Sequence, residues 1–281
     1  MLRESFVNKY NDDVVEAFRE LFEVCCMNMF HSGDLLLCQQ NGTLFSGKAM
    51  IGLGAEGINS LQQINAIFCN GIGKLTGDDD YFKKSGNKFF LGTSELEMTI
   101  QSEMKAYQEI WENLYFLRIL TETVRAANGE RYDWQLDMYK LGNNKSNHIR
   151  DQIIKKLDVC PKFKKVIEIG YKRQIRNAVA HSQYHVIQGG LWFENYKKVN
   201  KDEVQAIGFE EWERVYSYSY FIFRGLFEHL TSIVQQLYMP AVQKAITGGI
   251  PILCNFHDDN WGETFIYPYQ DGKVWRFNKP N

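Results

Sequence analysis

The sequence is poor in residues that stop or cross-link a chain. Only 5 of its 281 residues are proline, and no Pro-, Ser- or Gln-rich tract occurs. Long disordered stretches are therefore not expected. The six cysteines, Cys25, Cys26, Cys38, Cys69, Cys160 and Cys254, include no C-x-x-C pair, and no Cys/His group has zinc spacing. Neither a zinc module nor a thioredoxin-like centre is expected. Several of these thiols stand among apolar residues, where a reduced cysteine acts as a small hydrophobe. The expectation is a reducing, cytoplasmic compartment. No long apolar run is present. The most apolar stretch, Tyr218 to Leu230, is interrupted by Arg224, Glu228 and His229, too short and too charged to span a membrane. The opening Met-Leu-Arg-Glu-Ser-Phe-Val-Asn-Lys lacks the apolar core of a secretory signal. Charge of one sign is also missing. A net charge of −2 and a pI near 6.3 exclude a protein that coats nucleic acid through its overall charge. Any such contact must come from a local patch, with modest salt dependence.

What is present is an ordinary globular composition, 44% apolar, 14% aromatic and 23% charged. The length allows one large domain or two small ones with a sizeable core. Helix signals dominate and no internal repeat is visible. Asn11-Asp12-Asp13 can cap a helix reaching about Phe30, with Val14, Phe18, Leu21, Phe22 and Cys25 at three- and four-residue spacing. Residues 31–92 are glycine-rich, with one or two helices expected, the clearest over Ile58 to Cys69. Ser94-Glu95-Leu96-Glu97 forms a capping box for a long helix to about Ala127, stopped by Asn128-Gly129. Short helices are expected near Asp133–Lys140 and Ser146–Leu157, and Pro161 suits the first turn of a helix reaching about Ser182. Two short apolar runs then flank Gly189-Gly190, which reads as a β-hairpin. A second long helix covers about Phe209 to Leu237, ended or kinked by Pro240. Beyond residue 250 the pattern alternates, with Asp271-Gly272 as a hairpin turn. The fold expected is mainly α: an N-terminal helical and irregular region over 1–93, a helical bundle over 94–247, and a small β appendage over 248–281.

Some signals carry less than they first offer. Gly52-Leu53-Gly54-Ala55-Glu56-Gly57 matches G-x-G-x-x-G, and Asp78 follows at the distance a dinucleotide fold needs. That fingerprint also requires a second parallel strand, and the Gly-, Lys- and Asp-rich stretch 70–80 does not supply one. Asp78-Asp79-Asp80 without an EF-hand loop reads as a solvated turn. Cys25-Cys26 and His229 read as core positions. Trp212, Tyr216, Phe223 and Phe227 read as the seam of a bundle or a dimer.

The segment that carries chemistry is Arg176-Asn177-Ala178-Val179-Ala180-His181. At about 100° per residue, Tyr171, Ile175, Ala178 and Val179 form an apolar stripe. Asn177 and His181 lie one turn apart on the opposite side, and Arg173 joins their line. Arg176 lies about 140° round from His181, with a side chain long enough to reach the same region. A histidine can take the proton from a ribose 2′-hydroxyl or give one to the leaving oxygen. A guanidinium can hold the charge that builds on phosphate. The bland alternative is a surface arginine beside two residues that cap a helix end. From Lys155 to Arg176 there are eight basic residues, opposed only by Asp158 and Glu168. That run is either an RNA footprint or a solvated helix face.

The Arg-Asn-x-x-x-His pattern, with Tyr171-Lys172-Arg173-Gln174-Ile175 leading in and Ala180-His181-Ser182-Gln183-Tyr184 leading out into a hairpin, resembles the active-site motif of the HEPN families. The resemblance is centred on residues 160–195 and extends over about 94–240. It implies an all-helical bundle, a homodimer whose two motifs meet in one cleft, and RNA as the substrate. It further implies an endoribonuclease that works without metal or other cofactor, in prokaryotic defence or toxin–antitoxin growth arrest, with an antitoxin or other regulatory partner. On this reading Arg176, Asn177 and His181 are catalytic, and Lys172, Arg173, Tyr184 and His185 contact substrate. The competing expectation is a non-catalytic HEPN-like protein used for RNA binding or dimerisation.

Overall fold

The computed structural model describes residues 2, 4–29, 35, 38, 40–45, 48–51, 54–72, 94–133, 136–187, 189–198, 203–233, 250–255, 261–268 and 275–278. In chain order the elements are α1 (Glu4–Asn28), β1 (Gln40–Phe45), β2 (Lys48–Ile51), α2 (Gly54–Ile72), α3 (Ser94–Glu112), α4 (Leu114–Ala127), α5 (Pro161–Gly170), α6 (Arg173–Ala180), β3 (Tyr184–Ile187), β4 (Gly190–Phe193), β5 (Ala206–Gly208), α7 (Phe209–Ile233), β6 (Ile250–Asn255), β7 (Trp261–Pro268) and β8 (Trp275–Asn278). Between α4 and α5 the chain winds irregularly through a 3₁₀ turn (Met138–Asn144), one α turn (Lys145–His148), a π turn (Ile149–Ile153) and a second 3₁₀ turn (Ile154–Val159). The protein is mainly helical, with small antiparallel sheets. Among the described residues no helix is long and apolar enough to cross a membrane.

Two compact units form, one from residues 1–15, 60–112 and 165–223, the other from 16–59, 113–164 and 224–281. They cut across the consecutive division 1–93, 94–247 and 248–281 expected from sequence. The reason is long-range strand pairing. A five-stranded sheet in the second unit has the order β1-β2-β8-β7-β6. In it β2 pairs antiparallel with β8, Ala49 opposite Phe277. The C-terminal strands are therefore no separate appendage, because residues 40–51 complete their sheet. Both neighbours of β2 are antiparallel. The glycine loop thus follows a strand and opens α2, but without the parallel neighbour that dinucleotide binding needs. Asp78-Asp79-Asp80, Pro240 and Asp271-Gly272 lie outside the described residues, as does the side chain of His229.

The first unit holds the motif. Its core is aromatic: Tyr107, Trp111, Trp212, Tyr216 and Tyr220 are fully or almost fully buried. Phe68 stacks on Tyr220 with ring centroids 3.5 Å apart. The ring nitrogen of Trp212 donates to Glu103 Oε2 at 2.9 Å, which supplies the buried indole with its partner. In the second unit Phe116 and Phe163 are buried. Cys25 is buried there too, its thiol on the Thr123 carbonyl oxygen at 3.3 Å and pushed upward by burial. Of the expected seam, Trp212, Tyr216, Phe223 and Phe227 are all buried.

Three expected helices have different ends. The first begins at Glu4, upstream of Asn11-Asp12-Asp13, because Val7 and Tyr10 extend the buried stripe. Asp13 does not cap it; its carboxylate accepts from Tyr218 Oη at 2.6 Å. The helix expected over 94–127 is interrupted at Asn113. That residue is extended (φ −66°, ψ 109°) and its side chain accepts the Phe116 N–H at 2.8 Å, the N-cap geometry. The motif helix is likewise two helices, α5 and α6, and its break is part of the site.

The hairpin after the motif forms as expected and gains a third strand, giving the order β3-β4-β5. Gly189 has φ +76°, open to glycine at little cost. Gly190 is required by proximity, since a Cβ there would lie 2.1 Å from the Ile207 carbonyl oxygen.

Candidate functional site

The site begins with the break between α5 and α6. Gly170 packs so closely on α7 that a Cβ would lie 3.1 Å from the Ser219 nitrogen. The Ser219 hydroxyl donates to the Gly170 carbonyl at 2.8 Å and accepts from Trp111 Nε1 at 3.1 Å. Lys172 then turns extended (φ −119°, ψ 106°) and starts α6. Its backbone N–H donates to the Tyr107 hydroxyl at 2.9 Å. Burial pushes that phenol well up, and the hydrogen bond with the Lys172 backbone, then the charge of Arg176, only partly offset the effect. A neutral hydroxyl from α3 thus takes a donor that the helix end leaves over.

Over α6 the helical phase read from the sequence holds. Ile175, Ala178 and Val179 are buried, Asn177 is half-buried, and Arg173 and His181 are exposed. Gln174 is buried as well. Its amide accepts the Val204 N–H and donates to the Val204 carbonyl, both at 2.8 Å, tying α6 to the irregular segment that leads into β5.

Arg176 is not on the open face. Its side chain is 12% exposed and forms an ion pair with Glu112 at the end of α3. Its Nη1 donates to Asn177 Oδ1 at 2.9 Å. Neither contact involves His181, and among the described residues no hydrogen bond joins the imidazole to another side chain. His181 is the C-cap of α6, and its backbone N–H closes on the Asn177 carbonyl at 3.1 Å. Ser182 follows with φ +53°, in the left-handed region. Its N–H donates to Val179 O at 3.2 Å and that of Gln183 to Ala178 O at 2.8 Å. These are the two bonds of a Schellman turn, usually built on glycine. A serine there costs about 1 kcal/mol.

The other candidates are placed separately. Lys172 Nζ donates to the Glu168 carbonyl at 2.8 Å. Tyr184 is half-buried, and burial pushes its hydroxyl upward. His185 pairs across the hairpin with Glu194 at 2.6 Å, both exposed. The basic run is largely compensated: Lys155 pairs with Asp151, Lys156 with Glu130, Lys162 with Glu16 and Lys164 with Asp158. For those four lysines the solvated, ion-paired face is the fitting description. Among the described residues no three His, Cys, Asp or Glu side chains are grouped as metal ligands.

Tyr107, Glu112 and Ser182 escaped the sequence reading. Ser182 lies beside the motif, but nothing in its identity signals a left-handed backbone. Glu112 and Tyr107 act across more than sixty residues, and no local signal marks them. Compared with protein-family models, with curated proteins and with solved structures, the chain matches none.

Proposed function

We propose that this protein is a metal-independent endoribonuclease of the HEPN type. The ribose 2′-oxygen attacks the adjacent phosphorus, the bond to the 5′-oxygen breaks, and a 2′,3′-cyclic phosphate is left. His181 takes the 2′-hydroxyl proton or supplies one to the departing 5′-oxygen. The arginine and asparagine side chains of α6 hold the phosphate. The observation that carries this reading is the exposed His181 at the end of α6, in line with Asn177 and Arg173 and turned from the core. An imidazole that only filled a core would be buried and bonded. The resemblance adds a homodimer with both motifs in one cleft, an antitoxin or other regulator, and a role in prokaryotic defence or growth arrest.

One observation favours the second reading, a HEPN-like protein that binds RNA or dimerises without cutting. The motif arginine is already occupied by Glu112. Incubation of single-stranded RNA with purified protein in EDTA separates the two. Under the first reading wild type cleaves, and His181→Ala is slower by about 10² to 10⁴, the span of one general acid–base group. No cleavage by wild type, or equal cleavage by the variant, removes the ribonuclease reading.

A further inference from the structure

The motif region holds two arginines in different states. Arg173 is exposed and forms no hydrogen bond or ion pair with another described side chain, whereas Arg176 is held between Glu112 and Asn177. We infer that Arg173 is the guanidinium that meets the RNA phosphate, and that Glu112 and Arg176 are positioning residues that aim the Asn177 amide at it. This rests on the ribonuclease reading above and names the groups that hold its substrate.

A guanidinium only donates. The Asn177 atom 2.9 Å from Arg176 Nη1 is therefore its carbonyl oxygen, which turns the amide nitrogen and its two N–H groups the other way. That nitrogen bonds to no described residue and is not a buried orphan atom, so its donors face solvent. Asn177 stands one turn after Arg173 and one turn before His181. A row results of guanidinium, amide donors and imidazole, spaced about 6 Å apart along the axis. Its three parts suit a phosphate: a cation for its charge, donors for its oxygens, and a proton carrier beside them. Arg176 offers less, because a phosphate reaching it would have to displace the Glu112 carboxylate, exchanging one anion for another. Its fixed fork instead carries the orientation set by Glu112 on to Asn177. Loss of the Glu112 carboxylate would free the guanidinium and let the amide turn.

Two measurements test this. The first is the salt dependence of single-stranded RNA binding, read by anisotropy of a fluorescein-labelled oligonucleotide, in the His181→Ala background where the RNA stays intact. Arg173→Met is expected to lower the slope of log K against log salt by about 0.7, one phosphate contact on a single strand. Arg176→Met is expected to leave it unchanged. The second is cleavage kinetics in EDTA. Arg173→Met raises KM and lowers kcat as well, because the charge it holds builds on the phosphate during attack. Glu112→Gln lowers kcat by about tenfold or more at nearly constant KM, with Glu112→Asp restoring part of the loss. Asn177→Asp keeps an oxygen towards Arg176 but replaces the outward donors by a second oxygen, so it loses kcat even if Glu112→Gln fails to fold. A salt slope that falls with Arg176 and not Arg173 overturns the assignment. Glu112→Gln that cleaves faster than wild type overturns the positioning role and makes Glu112 an inhibitory latch. Wild type that cleaves nothing removes the ribonuclease reading and the positioning role together, while the salt slope still decides between the arginines.

Discussion

Helices α4 and α6 end in the same turn but are finished differently. At the end of α4 the N–H of Gly129 reaches Ala126 O at 3.0 Å and that of Glu130 reaches Arg125 O at 2.9 Å. The left-handed position is a glycine with φ +68°. Both N–H groups of the cap amide are used, with Asn128 Nδ2 bonded to Val124 O at 2.8 Å and Lys156 O at 2.9 Å. Charged pairs reinforce it, Lys156 with Glu130 at 2.6 Å and Arg125 with Glu130 at 3.1 Å. At the end of α6 the left-handed position is a serine and the cap is an exposed histidine. One end ties its cap side chain down; the other accepts a strained residue and leaves its cap facing water. Strain of that kind collects where a side chain is needed for something other than stability. On the proposed reading, the contrast is what separates His181 from an ordinary helix-capping residue.

The contrast is broken most directly by removing both caps. Asn128→Ala gives up two side-chain hydrogen bonds and should cost about 2 kcal/mol, read from denaturant midpoints. His181→Ala should stay within about 0.5 kcal/mol of wild type. Equal losses would make His181 a structural cap and end the distinction.

A pH series probes the α4 side further. Burial, with Asp133 beside it, raises the Glu122 carboxyl from 4.5 to about 8, against the opposing pull of Arg125, the Asp133 N–H and Arg118. The folded state therefore holds a proton that the unfolded state has lost. This group's contribution is fully present below pH 4.5 and is lost as pH rises to about 8. Glu122→Gln should flatten that part of the stability profile and gain most above pH 8. A variant whose profile parallels wild type over that window would show that Glu122 is not the group responsible.

The smallest effects come from exchanging the turn residues. Gly129→Ser should cost about 1 kcal/mol. Ser182→Gly should gain about 0.5 kcal/mol, less than the strain relieved because glycine also frees the unfolded chain. Loss of stability at Ser182→Gly would mean that the serine side chain holds the turn.

What the sequence made legible at the site was its phase. Arg173, Asn177 and His181 line up because helical geometry alone decides it, and Ile175, Ala178 and Val179 are buried for the same reason. The stop at Asn128-Gly129 and the Gly189-Gly190 turn were legible because their residue types are bound to their backbone angles. The break at 170–172 was not, since a lone glycine is tolerated inside helices and the groups that enforce the break, Tyr107 and Ser219, belong to other helices. Asn113 carried a local cap signal that the surrounding helical pattern overrode. Residues 40–51 gave no hint of pairing with 275–278, because a partner more than two hundred residues away leaves no trace in local spacing. The ion pair of Arg176 was hidden for the same reason.

The break at Gly170–Lys172 also decides what α6 is on its own. It has eight residues, well below the roughly 12–15 at which an isolated helix begins to hold in water. The row of Arg173, Asn177 and His181 therefore has no shape of its own to lend. It exists while α3 offers Tyr107 to its first turn and Glu112 to its middle, and a peptide cut from 170–184 would carry the motif without the geometry. Backbone amides of α6 should accordingly exchange with solvent together with the end of α3, as one cooperative segment.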